Sequence, residues 1–265
     1  MPTVALFVHS TGTSPAMWKP LLDTVPEGIA ALAPPNLGYS PEAPLPELGV
    51  DDFRLAHEVA HLQRQVPADT DAVHLVAHSY GAAVALLLAR AWQQEGGPRV
   101  ASLWLYEPTP FAALRALPPA SFPDDVQAQL RTLYGPGTPL TDGRLIGQDA
   151  WLQAFIDYWN GAGTWQAVPE RVRAGARQLG HKMFHEVSAL SNHAPGFAAM
   201  QVDAPMTLVH GEHTQPPARQ MVHSLHAVHP QAQVDVMQGL GHMGVMGGPE
   251  PVRHSLQAHW RRCLG

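Results

Sequence analysis

The stretch Ala72–Leu86, reading AVHLVAHSYGAAVAL, constrains the fold more than any other part of this chain. A mostly apolar run from Ala72 to Ala77 turns at His78-Ser79-Tyr80-Gly81 and leaves as an Ala/Leu-rich segment of helical character. A short apolar run without alternation predicts a strand buried on both faces, the habit of parallel sheets covered by helices. The corner presents Ser79, and the small residues Ala77, Gly81, Ala82 and Ala83 allow the outgoing helix to pack close to the strand. A turn of this kind lifts one side chain above the carboxyl edge of a sheet.

The rest of the chain repeats the alternation. Thr3 to Val8 reads as a strand that ends in the turn-rich loop His9-Ser10-Thr11-Gly12-Thr13-Ser14-Pro15. Met17, Trp18, Leu21, Leu22 and Val25 then follow at helical spacing, with a helix start near Pro20, where a missing N–H costs nothing. Gly28 to Pro34 is a second strand, and Asn36 opens a proline-rich loop to about Val50. Leu55, Val59, Leu62 and Val66 share one face of an amphipathic helix. Val100 to Tyr106 is a strand ending in Glu107-Pro108. Met206 to His210 and Gln233 to Met237 are the last strands, with Pro217 to Val228 helical between them. A final helix carries Val252, Leu256 and Trp260 on one face. Strands alternating with helices predict an α/β fold, a mainly parallel central sheet with helices on both faces. From Ala112 to about Val202 the alternation breaks, and helix formers with clustered aromatics predict a helical insertion. The expected organisation is therefore a core of residues 1–111 and 203–265 with residues 112–202 inserted.

Composition excludes some partners. With 45% hydrophobic and 14% charged residues among 265, a sizeable core is expected. A net charge of −6 with sixteen Lys and Arg provides no basic patch for nucleic acid, so a small-molecule partner is expected. Cys263 is the only cysteine, which rules out an intrachain disulfide and suits a reducing compartment. The start lacks a basic segment and its apolar run is short for a signal peptide. No stretch approaches the roughly 18 apolar residues of a spanning helix. The expectation is a soluble, cytoplasmic monomer or homodimer without a membrane partner.

A serine hydroxyl is a weak nucleophile unless a base lies within hydrogen-bond reach and a third group orients that base. His242 is the candidate base, because it follows the last strand in the glycine-flanked run Gly239-Leu240-Gly241-His242. Most of the other fifteen histidines are expected at the surface. A tetrahedral intermediate also needs N–H donors for its oxyanion. Tyr80, next to Ser79 at the helix start, and Thr11, in the loop after the first strand, are placed to supply them. His223, His226 and His229 are read as the solvent face of a helix, not a metal site. His181 and His185 have i, i+4 spacing, but Lys182 stands where a zinc protease carries glutamate. No metal and no cofactor are expected.

The first loop, the serine corner, the order of elements and the Gly-His near the end together resemble the α/β-hydrolase superfamily over residues 1–111 and 203–262. The insertion falls where that family carries its cap. The resemblance implies a serine hydrolase, an esterase or thioesterase working through an acyl-enzyme on a small, partly apolar substrate, with Ser79 as nucleophile and His242 as base. Acyl transfer, C–C hydrolysis and a catalytically weak binding protein are the alternatives. A serine at the corner argues against epoxide hydrolases and haloalkane dehalogenases, which resemble this family but use aspartate there. Two departures stand out. Ala77 replaces the first glycine of the G-x-S-x-G pattern. The acid is also displaced, because the turn Gly211-Glu212-His213-Thr214 has threonine where most members place aspartate. Glu107, ending the strand beside the serine corner, is preferred as the acid over Glu212. Trp151, Phe155 and Trp159 recur every four residues on one helix face and are expected to offer an apolar pocket.

Overall fold

In the computed structural model, residues 2–49 and 52–264 are described, so the expected loop end at Val50 lies outside the described residues. Six strands, β1 (Thr3–Val8), β2 (Ile29–Leu32), β3 (Ala72–His78), β4 (Arg99–Tyr106), β5 (Met206–Gly211) and β6 (Gln233–Met237), form one sheet. Their order is β2-β1-β3-β4-β5-β6, and every neighbouring pair is parallel. The helices are α1 (Leu55–Gln65), α2 (Tyr80–Glu95), α3 (Phe111–Arg115), α4 (Asp124–Tyr134), α5 (Asp149–Asn160), α6 (Thr164–Ala167), α7 (Glu170–Asn192), α8 (Pro216–Val228) and α9 (Glu250–Leu264).

The two faces of the sheet follow from strand periodicity. Side chains alternate across a strand, so neighbours along β1 enter different cores. Val4, Leu6 and Val8 join Leu75, Leu103 and Leu208 under α1, α2 and α8. Ala5 and Phe7 join Val76, Trp104 and Val209 under α9 and the 3₁₀ segment Pro15–Thr24. All seven residues of β3 are buried, which explains why its sequence shows no polar alternation. Complete burial of a side chain such as Leu75 or Phe7 contributes about 1.5–3 kcal/mol.

Two local expectations are corrected. The segment expected to start a helix near Pro20 is 3₁₀ from Pro15 to Thr24, with Pro15 at the first helical position and Pro20 inside. The second strand is shorter than Gly28–Pro34, because β2 is an edge strand paired only over Ile29–Leu32. Between β4 and β5 the chain is helical, running through α3 to α7. Among the described residues, no helix is long and apolar enough to cross a membrane.

The corner after β3 depends on Gly81. A Cβ there would lie 2.5 Å from the carbonyl oxygens of both Val8 and His9. The absence of a side chain therefore brings the loop after β1 against the start of α2, putting Thr11 beside Ser79.

Candidate active site

Ser79 and Glu107 are the only non-glycine residues with positive φ among the described residues, at 55° and 45°. Such backbone costs roughly 1–3 kcal/mol per residue and persists only where the surroundings enforce it. Here the enforcement is visible. Ser79 N–H donates to the Tyr106 carbonyl at 2.9 Å, and Glu107 N–H donates to the Val209 carbonyl at 2.8 Å. The sheet's own hydrogen bonding thus extends past β3 and β4 and holds both corners at the carboxyl edge, where open α/β sheets keep their sites.

His242 opens a short 3₁₀ turn after β6 and lies between these two residues. Its Nε2 is 3.0 Å from Ser79 Oγ, and its Nδ1 is 2.5 Å from Glu107 Oε2. All three side chains are buried. Glu107 Oε1 accepts the Gly211 N–H at 2.8 Å, and Oε2 also accepts the Thr214 hydroxyl at 2.6 Å. Thr214, the residue at the usual acid position, therefore donates to the carboxylate arriving from the neighbouring strand. Glu212 points elsewhere, with its side chain 44% exposed and accepting the Gly239 N–H.

The imidazole is held from several sides. His78 Nε2–H donates to the His242 carbonyl at 2.9 Å, and Tyr106 donates its hydroxyl to the Gly241 carbonyl at 2.7 Å. Burial keeps the pKa of His78 well below the usual histidine value, which leaves it neutral beside His242. Gly244 is required here, since a Cβ would meet the Tyr106 hydroxyl at 2.6 Å. The indole of Trp159 lies over the His242 ring, with centroids 3.7 Å apart and planes 23° from parallel.

Thr11 lines the same two spaces as Ser79, and Tyr80 follows Ser79 as the first residue of α2. Beneath them lies a buried ionic cluster that the sequence did not reveal. Lys182 of α7, 3% exposed, donates to Glu58 Oε2 at 2.7 Å and lies 3.4 Å from Glu186 Oε1. Tyr80 donates its hydroxyl to Glu58 Oε2 at 2.9 Å, and Leu37 N–H donates to Glu58 Oε1 at 2.7 Å. Gly12 N–H donates to the Tyr39 hydroxyl at 2.7 Å, which in turn donates to Glu186 Oε2 at 2.9 Å. Burial raises the Glu186 carboxyl to about 7, against the pull of the Lys182 charge. Thr11 and Tyr80 are thus tied through Gly12, Tyr39 and the Tyr80 ring to the same cluster. Lys182 was visible in the sequence only as the wrong residue for a zinc motif.

Two spaces meet at Ser79. An inner chamber, with about 30 Å³ open to a water-sized molecule, is walled by Thr109, Phe111, Leu133, Tyr134 and Leu190. An outer groove of about 810 Å³ is bordered by His242, Met17, Met183, Met243 and Met246. Phe155 and Trp159 border both spaces. Trp151 does not, which corrects the expectation for that residue. It is fully buried in a separate cluster with Leu152, Trp165, Met183 and Phe184. Its ring stacks on Phe155 and its indole N–H donates to the Leu140 carbonyl. A helix face wider than one residue can bury one edge while showing another, and α5 does so.

Of the three histidines expected on the solvent face of a helix, His229, just past the end of α8, departs from that expectation. His223 is exposed, but His229 is buried, accepting the Val202 N–H at Nε2 and facing the Leu225 carbonyl at Nδ1. His229 ties the end of α8 to the segment that leads into β5.

A family model described as the alpha/beta hydrolase family matches residues 5–254. The chain belongs to the α/β-hydrolase family. Its fold is similar to the thioesterase RedJ of the prodiginine biosynthetic pathway in Streptomyces coelicolor, at 15% identity and a TM-score of 0.62, covering 99% of this chain and 93% of that one. It is similar to an alpha/beta hydrolase from Sphaerobacter thermophilus, at 20% identity and a TM-score of 0.65, covering 98% and 92%. It is also similar to ClbQ of the colibactin pathway, at 14% identity and a TM-score of 0.61, covering 100% and 99%. No curated protein sequence matches the chain.

Proposed function

We propose that this protein is a serine hydrolase that cleaves carboxylic esters or thioesters of small, partly apolar substrates through an acyl-enzyme. The observation that carries the reading is the unbroken hydrogen-bond chain Ser79–His242–Glu107. Ser79 Oγ attacks the carbonyl carbon while its proton passes to His242 Nε2. The oxyanion faces the N–H groups of Thr11 and Tyr80, each worth about 3–4 kcal/mol to the barrier in comparable sites. Collapse breaks the bond to the leaving oxygen or sulfur, which takes the proton from Nε2. Water then attacks the acyl-enzyme, gives a proton to His242, and Ser79 regains it as the acid departs. Glu107 stays a carboxylate throughout and holds the Nδ1–H. In this reading, residues 112–202 form a cap over a core of residues 1–111 and 203–265. The aromatic pair Phe155 and Trp159 supports an apolar group in the substrate.

The test is covalent labelling by a fluorophosphonate together with turnover of p-nitrophenyl esters. Wild-type protein is expected to label and to hydrolyse the esters, and Ser79→Ala to do neither. Folded wild-type protein that neither labels nor turns over any ester would leave the chain as a binding member of its family.

A further inference from the structure

We propose that the site divides its substrate at Ser79, with a short acyl group carrying a hydroxyl or oxo function in the inner chamber and a larger apolar leaving group in the outer groove. This rests on the serine-hydrolase reading and names the substrate class of that site.

The direction of binding follows from where the proton must go. His242 returns its proton to the leaving atom, so that atom must sit on the side of the serine that the imidazole faces. His242 borders the outer groove and not the inner chamber, whereas Ser79 and Thr11 border both. The reacting carbonyl therefore lies at the junction, the leaving group points outward and the acyl chain points inward. Trp159, stacked on His242, forms part of the wall between them.

The size of the chamber limits the acyl chain. The chamber is much the tighter of the two spaces, with about 30 Å³ open to the centre of a water-sized group against about 810 Å³ in the groove, so it takes the smaller part of the substrate. The groove is wider, and its four methionines are flexible, polarizable side chains suited to apolar groups of varied shape.

The polar function follows from Thr109. This residue is 1% exposed, lines the inner chamber alone, and its hydroxyl has no hydrogen-bond partner. Of the other hydroxyls lining the chamber, Tyr134 and Ser191 bond to each other at 2.9 Å, Tyr158 donates to Gln129 at 3.3 Å, and Ser79 and Thr11 border both spaces at the junction. An unsatisfied buried hydroxyl is costly unless a ligand completes it. A hydroxyl or oxo group on the acyl chain would do so, whereas a plain alkyl chain leaves the cost in place.

The experiment compares kcat/KM for p-nitrophenyl acetate, butyrate, octanoate, decanoate and 3-hydroxybutyrate on the full chain. Butyrate is expected to exceed octanoate at least tenfold, and 3-hydroxybutyrate to exceed butyrate about tenfold. In Thr109→Val the hydroxybutyrate-to-butyrate ratio should fall to about one, and Thr109→Ser, which keeps the hydroxyl, should retain it. Leu190→Ala, which enlarges the chamber, should move the optimum to longer chains. An enzyme that labels with fluorophosphonate but prefers octanoate or decanoate overturns the proposal, as does a hydroxybutyrate ratio that Thr109→Val and Thr109→Ser both leave unchanged. Failure to label or to hydrolyse any ester would instead overturn the serine-hydrolase reading beneath it.

Discussion

At the scale of single residues, Glu107 is the decisive one. Its carboxylate accepts from Gly211, Thr214 and His242 at once, and its backbone takes a positive φ to reach them. A carboxamide would keep the volume, but its N–H facing Nδ1 would favour the wrong imidazole tautomer, and its neutral oxygen there would stabilise the imidazolium less than a carboxylate does. Glu107→Gln is expected to lower kcat roughly 10⁴-fold with little change in KM, as loss of the acid does in serine triads. Glu212→Gln, on an exposed side chain 44% open to water, should change kcat by less than threefold. Steady-state kinetics on both variants checks this, and a larger loss in the Glu212 variant would reverse the assignment. The sequence left these two glutamates open because each sits at a strand end, and only the position of His242 separates them. The threonine at position 214 was readable as standing where most family members place aspartate, but not as a donor to Glu107.

At the scale of elements, α7 is the member whose role sequence periodicity does not disclose. Its 23 residues carry Lys182 and Glu186 into the interior against α1, where Glu58 waits. A lysine and a glutamate four residues apart normally read as a solvated helix face. Here the Lys182 ammonium also lies 4.3 Å from the centre of the Phe53 ring. Removing one partner of a buried ion pair typically costs 3–5 kcal/mol, because the other charge is left unpaired. Lys182→Met is therefore expected to lower stability by about that amount in urea titration. Adding Glu58→Gln should recover part of the loss, since neighbours in one network are not additive. A loss below 1 kcal/mol in the single variant would show that the cluster is solvated.

At the scale of the whole molecule, nine of the sixteen histidines are buried: His9, His61, His74, His78, His185, His210, His229, His242 and His259. This reverses the expectation that most lie at the surface. Burial lowers His9 to about 4 and His259 to about 3, and takes His78 well below its usual value. The unfolded chain binds these protons near pH 6.5 and the native state does not, so stability falls as the pH drops from about 6.5 toward 4. Each unit of difference is worth about 1.4 kcal/mol. Glu186 acts in the opposite sense. Its carboxyl is raised to about 7, so its contribution is present below pH 4.5 and is lost as the pH rises through 7. Three histidines outweigh one carboxyl, and Tm is expected to fall by several degrees between pH 7 and pH 4.5. Glu186→Gln removes the opposing contribution and should steepen that fall. A Tm independent of pH in scanning calorimetry over this range would contradict the burial of these histidines in solution.

The sequence by itself determined the parallel sheet, its helical covering and the serine corner after β3. Each of these is written in short-range periodicity and in the demand for small residues at a tight turn. Tertiary structure decided which carboxylate meets His242, which of Trp151, Phe155 and Trp159 face the cavity, and which histidines and charges lie inside. Glu107 and His242 are 135 residues apart. They meet because the strand order β3-β4-β5-β6 lets the turn after β6 reach back to the end of β4, a pairing that no local pattern encodes. The serine corner carries its own geometry in its sequence. Its partners are set by which strand lies next to which.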